Sequence, residues 1–284
     1  MKKVLLFSFI IALAGIMIPV EEANAQVLDG IYEKEHVPSR RPIPYSQLRE
    51  ADVMWKKRVW RCIDLRQKMN FQFYYPITRI NERMNLTNLL VYGQTHEGVV
   101  LYDTDNDRFT SILTTSEIEQ AFDAGMKELK FVDDEGNEIT KTVNQEINYA
   151  EVMQVWLKEE WFFDKQRSKM EVRILGIMPI RFAEDKNATS TEPVIEKKKL
   201  FWAYFPAVRP ILANHEVFNR YNDAQRRTYD DIFFKRFFDS FIVKESNIYE
   251  DRLISDFRDG HMALWEAQKI KGEIFDREQD LWSY

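Results

Sequence analysis

Apolar side chains recur along this chain with two periods. From Tyr45 to Asn70, in YSQLREADVMWKKRVWRCIDLRQKMN, the residues Leu48, Ala51, Trp55, Val59, Cys62, Leu65 and Met69 fall at intervals of three and four. That is the period of one buried helix face. Pro44 and Ser46 precede the stretch as start signals, and Asn70 followed by Pro76 marks its end. The pattern predicts a long amphipathic helix over 45–70. Tyr149 to Arg167 predicts a second, with Val152, Val155, Trp156, Glu159 and Phe163 on one face. His261 to Trp282 predicts a third, with Leu264, Ile270, Ile274, Phe275 and Leu281 as its apolar members. A shorter helix over Ile80 to Gly93 turns Leu86, Leu89 and Leu90 inward, and Gly98 follows as its stop.

Other stretches read as strands and turns. Val99–Tyr102 and Phe109–Leu113 flank a polar turn at Asp103–Asp107, and Ser116 with Glu119 forms a capping box for a short helix through Met126. Leu129–Val132 and Glu138–Val143 predict a hairpin around Asp133–Asn137. Met170 to Phe182 alternates as a strand through Val172, Ile174, Gly176 and Met178. Leu200–Phe205 is an aromatic strand with Pro206 and Pro210 as breakers behind it. Tyr229–Arg236 reads as a short helix and Phe238–Lys244 as a strand. Helices and hairpins do not alternate strictly, so the expected class is α+β, with long amphipathic helices packed on short antiparallel strands and hairpins.

Residues 1–25 have the form of a signal peptide: Lys2 and Lys3, an apolar run from Val4 to Ile18, and the A-x-A site Ala23-Asn24-Ala25. A run of about 15 residues is short for a span of roughly 20. The mature chain is expected to be exported and soluble, with no lipid-anchoring Cys after the cleavage site. Residues 26–44 carry three prolines and predict an extended arm, ordered only if something binds it. Residues 45–182 form an expected N-terminal α+β domain, Ala183–Lys199 (AEDKNATSTEPVIEKKK) a flexible linker, and 200–284 a C-terminal α+β region. There is also a faint repeat. Ala51-Asp-Val-Met-Trp55 is echoed by Ala150-Glu-Val-Met153 and Trp156, and both copies contain W-x4-W, as Trp55/Trp60 and Trp156/Trp161. It suits two related helix-then-strand units packed together, and equally a chance resemblance between two amphipathic helices.

Charge divides the chain. Glu33 to Arg83 holds twelve Lys/Arg against six Asp/Glu, while 84–284 carries −11 of a chain whose net charge is −6. This predicts contact between the halves, or head-to-tail contact between copies. It also makes Arg40, Arg41, Lys56, Lys57, Arg58 and Arg61 the candidate partner-binding residues: the plain reading of the basic stretch is a solvated face of long cationic side chains, and the sharper one a docking surface for an acidic partner. Nucleic acid is not an expected partner of an exported acidic chain without a binding motif.

No catalytic set stands out. His36, His96, His215 and His261 form no zinc-binding pair, the lone Cys62 on an apolar face reads as a small core residue, and no P-loop, G-x-S-x-G or G-x-G-x-x-G occurs. Asp103-x-Asp105-x-Asp107 imitates a calcium loop but has Arg108 at the sixth position and Thr114 at the twelfth. Asp230/Asp231 are candidate acid–base residues, but carboxylates are abundant here and the pair reads better as solvated or capping. The expectation is no metal, no cofactor and no enzyme; a periplasmic enzyme acting on cell wall or peptide is the alternative from another class. The unusual feature is an aromatic content of 14%, with rings beside charges at Trp55–Trp60, Trp161–Arg167 and Phe233–Phe238. Aromatics and Arg are enriched where proteins meet proteins.

Several long segments carry a family resemblance. YEKEHVPSRRPIPYSQLREADVMWKKRVWRCIDLRQKMN (32–70), EEWFFDKQRSKMEVRILGIMPI (159–180), YFPAVRPILANHEVFN (204–219), YDDIFFKRFFDSFIVKESN (229–247) and IFDREQDLW (274–282) resemble the gliding motility protein GldN family, also called PorN. The resemblance implies a non-enzymatic periplasmic subunit of the type IX secretion and gliding machinery of Bacteroidetes. It implies self-association in a ring, with an outer-membrane lipoprotein of the GldK/PorK kind, linked to the motor components GldL and GldM/PorM. It implies no catalytic residues.

Overall fold

The two longest predicted helices in the first two-thirds of the chain are strands. A computed structural model of the chain describes residues 31, 40–80, 83–132, 138–184, 195–222 and 224–281. The predicted signal peptide, most of the arm, the Asp133–Asn137 turn and residues 185–194 of the predicted linker lie outside the described residues. Val37–Tyr284 forms one compact unit, and the description concerns that unit.

In chain order its strands are β1 (Val53–Asp64), β2 (Leu101–Tyr102), β3 (Gly125–Val132), β4 (Glu138–Gln145), β5 (Val152–Asp164), β6 (Lys169–Glu184), β7 (Ile195–Lys199), β8 (Trp202–Tyr204), β9 (Glu216–Val217), β10 (Arg227–Thr228) and β11 (Phe241–Glu245). Its helices are α1 (Phe71–Tyr74), α2 (Leu86–His96), α3 (Thr115–Ala121), α4 (Phe205–Asn214), α5 (Tyr229–Phe234) and α6 (Gly260–Asp280). The class is α+β, but α6 is the one long helix among them. The main sheet is antiparallel, in the order β11-β1-β5-β6-β8-β2, with β7 also on β6. β3 and β4 make the predicted hairpin as a separate two-stranded sheet.

β1 explains why its helical period misled. Residues 59–63 are buried without interruption. A strand covered on both faces loses the alternation that identifies it. The apolar three–four spacing then survives by coincidence. Val53, Trp55, Val59, Trp60 and Ile63 are β-branched or aromatic, and they fit a pleated surface better than a helix turn. The same holds for β5, with Val152, Val155, Trp156, Trp161, Phe162 and Phe163.

The repeat takes a different form from two helices. A 3-10 turn, Glu50–Asp52 or Tyr149–Glu151, leads into each strand. The strands pair with one another, from Trp55↔Phe163 to Asp64↔Gln154. A separation of five places the two Trp of W-x4-W on opposite faces of a strand. Antiparallel pairing then groups them crosswise: Trp60 and Trp156 in one cluster, Trp55 and Trp161 in another. Both strands end in an Asp whose carboxylate accepts a backbone N–H two residues on, Asp64 from Arg66 and Asp164 from Gln166, each at 2.9 Å.

The principal core lies on one face of the sheet. Ile63, Val155, Leu157 and Ile177 meet Leu89 and Leu90 of α2, Val208 and Leu212 of α4, and Phe233 of α5. α6 packs Ala267, Ile270 and Ile274 against Val59 and Ile242 as a second cluster. α3 begins two residues earlier than expected, with Thr114 and Glu117 making the capping box in place of Ser116 and Glu119. α4 is a helix where Pro206 and Pro210 suggested a break. Pro206 sits in the first turn, where its missing N–H costs nothing. Phe205, Val208, Ile211 and Leu212 bury enough apolar area to hold the turn around Pro210.

The expected linker begins and ends as strand. β6 runs to Glu184, and β7 pairs with it from Glu184↔Ile195 to Ile180↔Lys199. Strands from both sides of 183–199 share the one sheet, so no boundary between two units falls there. The lysines that made the stretch look like a tether cover rings, Lys197 over Phe182 at 5.4 Å and Lys199 over Trp156 at 5.6 Å.

Candidate functional site

Turning the predicted helix into a strand divides its cations between two faces. Lys56 and Arg58 share one. Lys56 Nζ lies 3.7 Å and Arg58 Nη2 3.0 Å from the same oxygen of Glu160. Lys57 and Arg61 share the other. Lys57 Nζ lies 2.7 Å from Glu245 and 3.6 Å from Glu273 of α6. Arg40 pairs with Asp231 at 3.6 Å, and Arg41 is exposed. Five of the six candidates therefore face a carboxylate of residues 84–284. The charge asymmetry is met by contact between the halves of one chain, the first of the two expectations it raised.

Arg61 is the most enclosed of them. Its Nε lies 3.0 Å from Oε2 of Glu159, a carboxylate with no exposed surface, at an angle short of a hydrogen bond. Arg236 reaches Glu159 Oε1 at 2.9 Å, and Trp161 Nε1 donates to Oε2 at 3.1 Å. Burial draws the Arg61 guanidinium below its ordinary range, and the Glu159 charge opposes that. Two cations around one carboxylate, stacked on Trp161, form an internal ionic joint between the two apolar clusters. Glu159 was legible in sequence only as a charge on an apolar face.

Across the sheet lies Lys158. Its side chain is buried between Trp60 and Phe109, with Nζ 5.8 Å and 5.3 Å from their centroids. It donates to the backbone carbonyl of Asp107 and lies 3.4 Å from that carboxylate. Burial lowers the pKa of Lys158, and Asp107 offsets part of the effect. The loop that imitates a calcium site thus lends a carboxylate to a lysine. Gly176 is required beneath it, since a Cβ there would come within 2.7 Å of the Phe109 ring. Burial also pushes the Cys62 thiol up to about 12, as suits a core residue. The acid–base candidates are equally occupied. Asp230 is buried in a two-armed pair with Arg209 at 2.8 and 3.1 Å, and Asp231 completes the capping box of α5 with Thr228.

A surface that the sequence did not assemble lies beyond α1. A groove of about 910 Å³ takes its apolar walls from Met69, Phe71 and Tyr75 and from Phe218, Tyr221 and Phe237. Lys68, Arg220 and Arg227 also line it. The signals were present but scattered: the aromatic segment Phe71–Pro76, and Phe237 in the ring-and-cation run Phe233–Phe238. Asn70 joins them. Its Nδ2 donates to the carbonyls of Asp64 (2.8 Å) and Asp239 (3.0 Å), and its Oδ1 accepts from Asp239 N at 3.0 Å.

A family model described as gliding motility associated protein GldN matches residues 48–283. Comparison with curated proteins gives no match.

Proposed function

The chain belongs to the GldN family of gliding motility associated proteins, and from that premise we propose that it is a non-enzymatic periplasmic subunit of the type IX secretion and gliding machinery. In this reading it assembles into a ring with an outer-membrane lipoprotein of the GldK/PorK kind and meets a motor component of the GldM/PorM kind. The observation that carries the reading is the length of the family match, which takes in every strand of the main sheet. The use of Asp230, Asp231 and Asp107 in ion pairs and caps supports a structural role for them. The test is co-expression with the lipoprotein, followed by native sizing and co-purification from envelope membranes. A very large species containing both chains is expected. A chain that elutes alone, with the lipoprotein folded and present, would overturn the proposal.

A further inference from the structure

The groove beside α1 differs in its charges from β1. On β1, Lys56, Lys57, Arg58 and Arg61 each meet a carboxylate. Lys68, Arg220 and Arg227 have none among the described residues, although Arg226 next to Arg227 pairs with Glu216 at 3.3 Å. Among the described residues no carboxylate lines the groove. Arg227 stacks on Phe237 at 5.6 Å, Arg220 on Tyr221 at 5.8 Å, and Arg83 on Phe218 at 6.0 Å. A guanidinium laid on a ring is oriented and keeps its in-plane N–H groups for a carboxylate. Between these cations the apolar side chains stay open, from 41% exposed at Phe71 to 84% at Tyr221. Scattered apolar residues on a surface need no explanation, but a contiguous set in a concavity with a polar rim does. The walls are tied together before anything binds, by the Asn70 bonds and by Gln72 Nε2, which donates to Phe237 O at 2.6 Å.

We propose that this groove is a docking site for a segment of another protein, one that carries carboxylates on either side of a bulky apolar anchor. The anchor enters between the rings, and its flanking carboxylates meet Lys68, Arg220 and Arg227. The concave shape favours a chain segment over a bilayer surface, which is flat at this scale. A cavity of this size seats an anchor and its neighbours, a centre of binding energy within a larger contact. The inference rests on the reading that this protein works by protein–protein contact, and is independent of which machine it serves.

The test uses the mature full-length chain and three labelled peptides that share a central Phe-Leu anchor, flanked by Asp/Glu, by Ser or by Lys. The acidic peptide should bind about tenfold or more tightly than the Ser peptide, with the advantage shrinking as salt rises. In the Arg220→Glu/Arg227→Glu variant the preference should reverse toward the Lys peptide, which a folding defect cannot imitate. Phe237→Ala should weaken all three. Equal binding of the acidic and Ser peptides, or a preference unchanged by the double variant, overturns the proposal. So does binding of phosphatidylglycerol vesicles that the double variant abolishes when no peptide preference exists. Self-association lost in that variant, again with no peptide preference, would give the groove to a second copy and overturn it likewise. If the peptides behave as expected while the lipoprotein fails to co-purify, the groove stands and the assembly reading falls.

Discussion

β1 and the groove both present lysine and arginine among aromatic rings, and they use them in opposite ways. On β1 each of Lys56, Lys57, Arg58 and Arg61 meets an acid supplied by a later part of the same chain. In the groove three cations sit on or beside rings with no acid opposite among the described residues. The first arrangement holds a fold together; the second is left open for something outside it. Density of positive charge in a sequence therefore does not identify a docking surface. What identifies one is charge that the fold has not already met.

The largest effect that could break this comparison is at Glu159. Glu159→Ala leaves Arg61 and Arg236 facing one another in a buried site, and removing one partner of such a cluster costs about 3–5 kcal/mol. Urea unfolding measures it, and a loss under about 1 kcal/mol would show that the joint is not holding the strands. Next is Cys62. With its thiol raised to about 12 and its side chain buried, thiol reagents at pH 8 should modify the native protein about a thousandfold more slowly than the unfolded one. Fast native labelling would mean that β1 opens.

Lys158 gives a smaller effect with a distinctive sign. Its folded pKa lies below its unfolded value, so between the two the folded chain binds fewer protons. Stability should therefore rise with pH as the solution approaches the ordinary lysine pKa of about 10.5. Lys158→Met should cost within about 1 kcal/mol or stabilise, because burying a cation is itself expensive, and the rise with pH should disappear. Melts of both proteins across that range decide it.

Charge reversals complete the comparison. Lys57→Glu sets a third carboxylate beside Glu245 and Glu273 and should cost about 1 kcal/mol, whereas the more exposed Lys56→Glu should cost less. Arg220→Glu/Arg227→Glu should change stability by no more than about 0.5 kcal/mol, the ordinary cost of surface substitution. A groove reversal that destabilises as much as Lys57→Glu would erase the distinction drawn between the regions.

How much of this was legible in sequence depends on which faces were covered. β6 showed its alternation through Val172–Met178, α6 its helical period, and β3 and β4 their pairing as two neighbouring strands. β1 and β5 are covered on both faces, so their pattern carried no period of two. Their W-x4-W spacing held the better signal, since five is an odd step and divides a strand's faces. α4 was hidden because Pro206 and Pro210 signal a break unless the apolar face around them is weighed as well. The groove was unreadable for another reason. Its walls come from stretches near residues 70 and 220–237, and nothing local says that Asn70 will bind the backbone at Asp239.

That pairing of distant segments also governs how the chain can fold. Arg58 meets Glu160 across 102 residues and Ser246 across 188, and Asn70 meets Asp239 across 169. The chain must close these loops before the long strand gains either neighbour, and such topologies are slow to form. Until β5 and β11 have been made, β1 has two open edges and an apolar face, which is a template for pairing with the wrong chain. A nascent copy ending before β5 should aggregate where the complete chain does not.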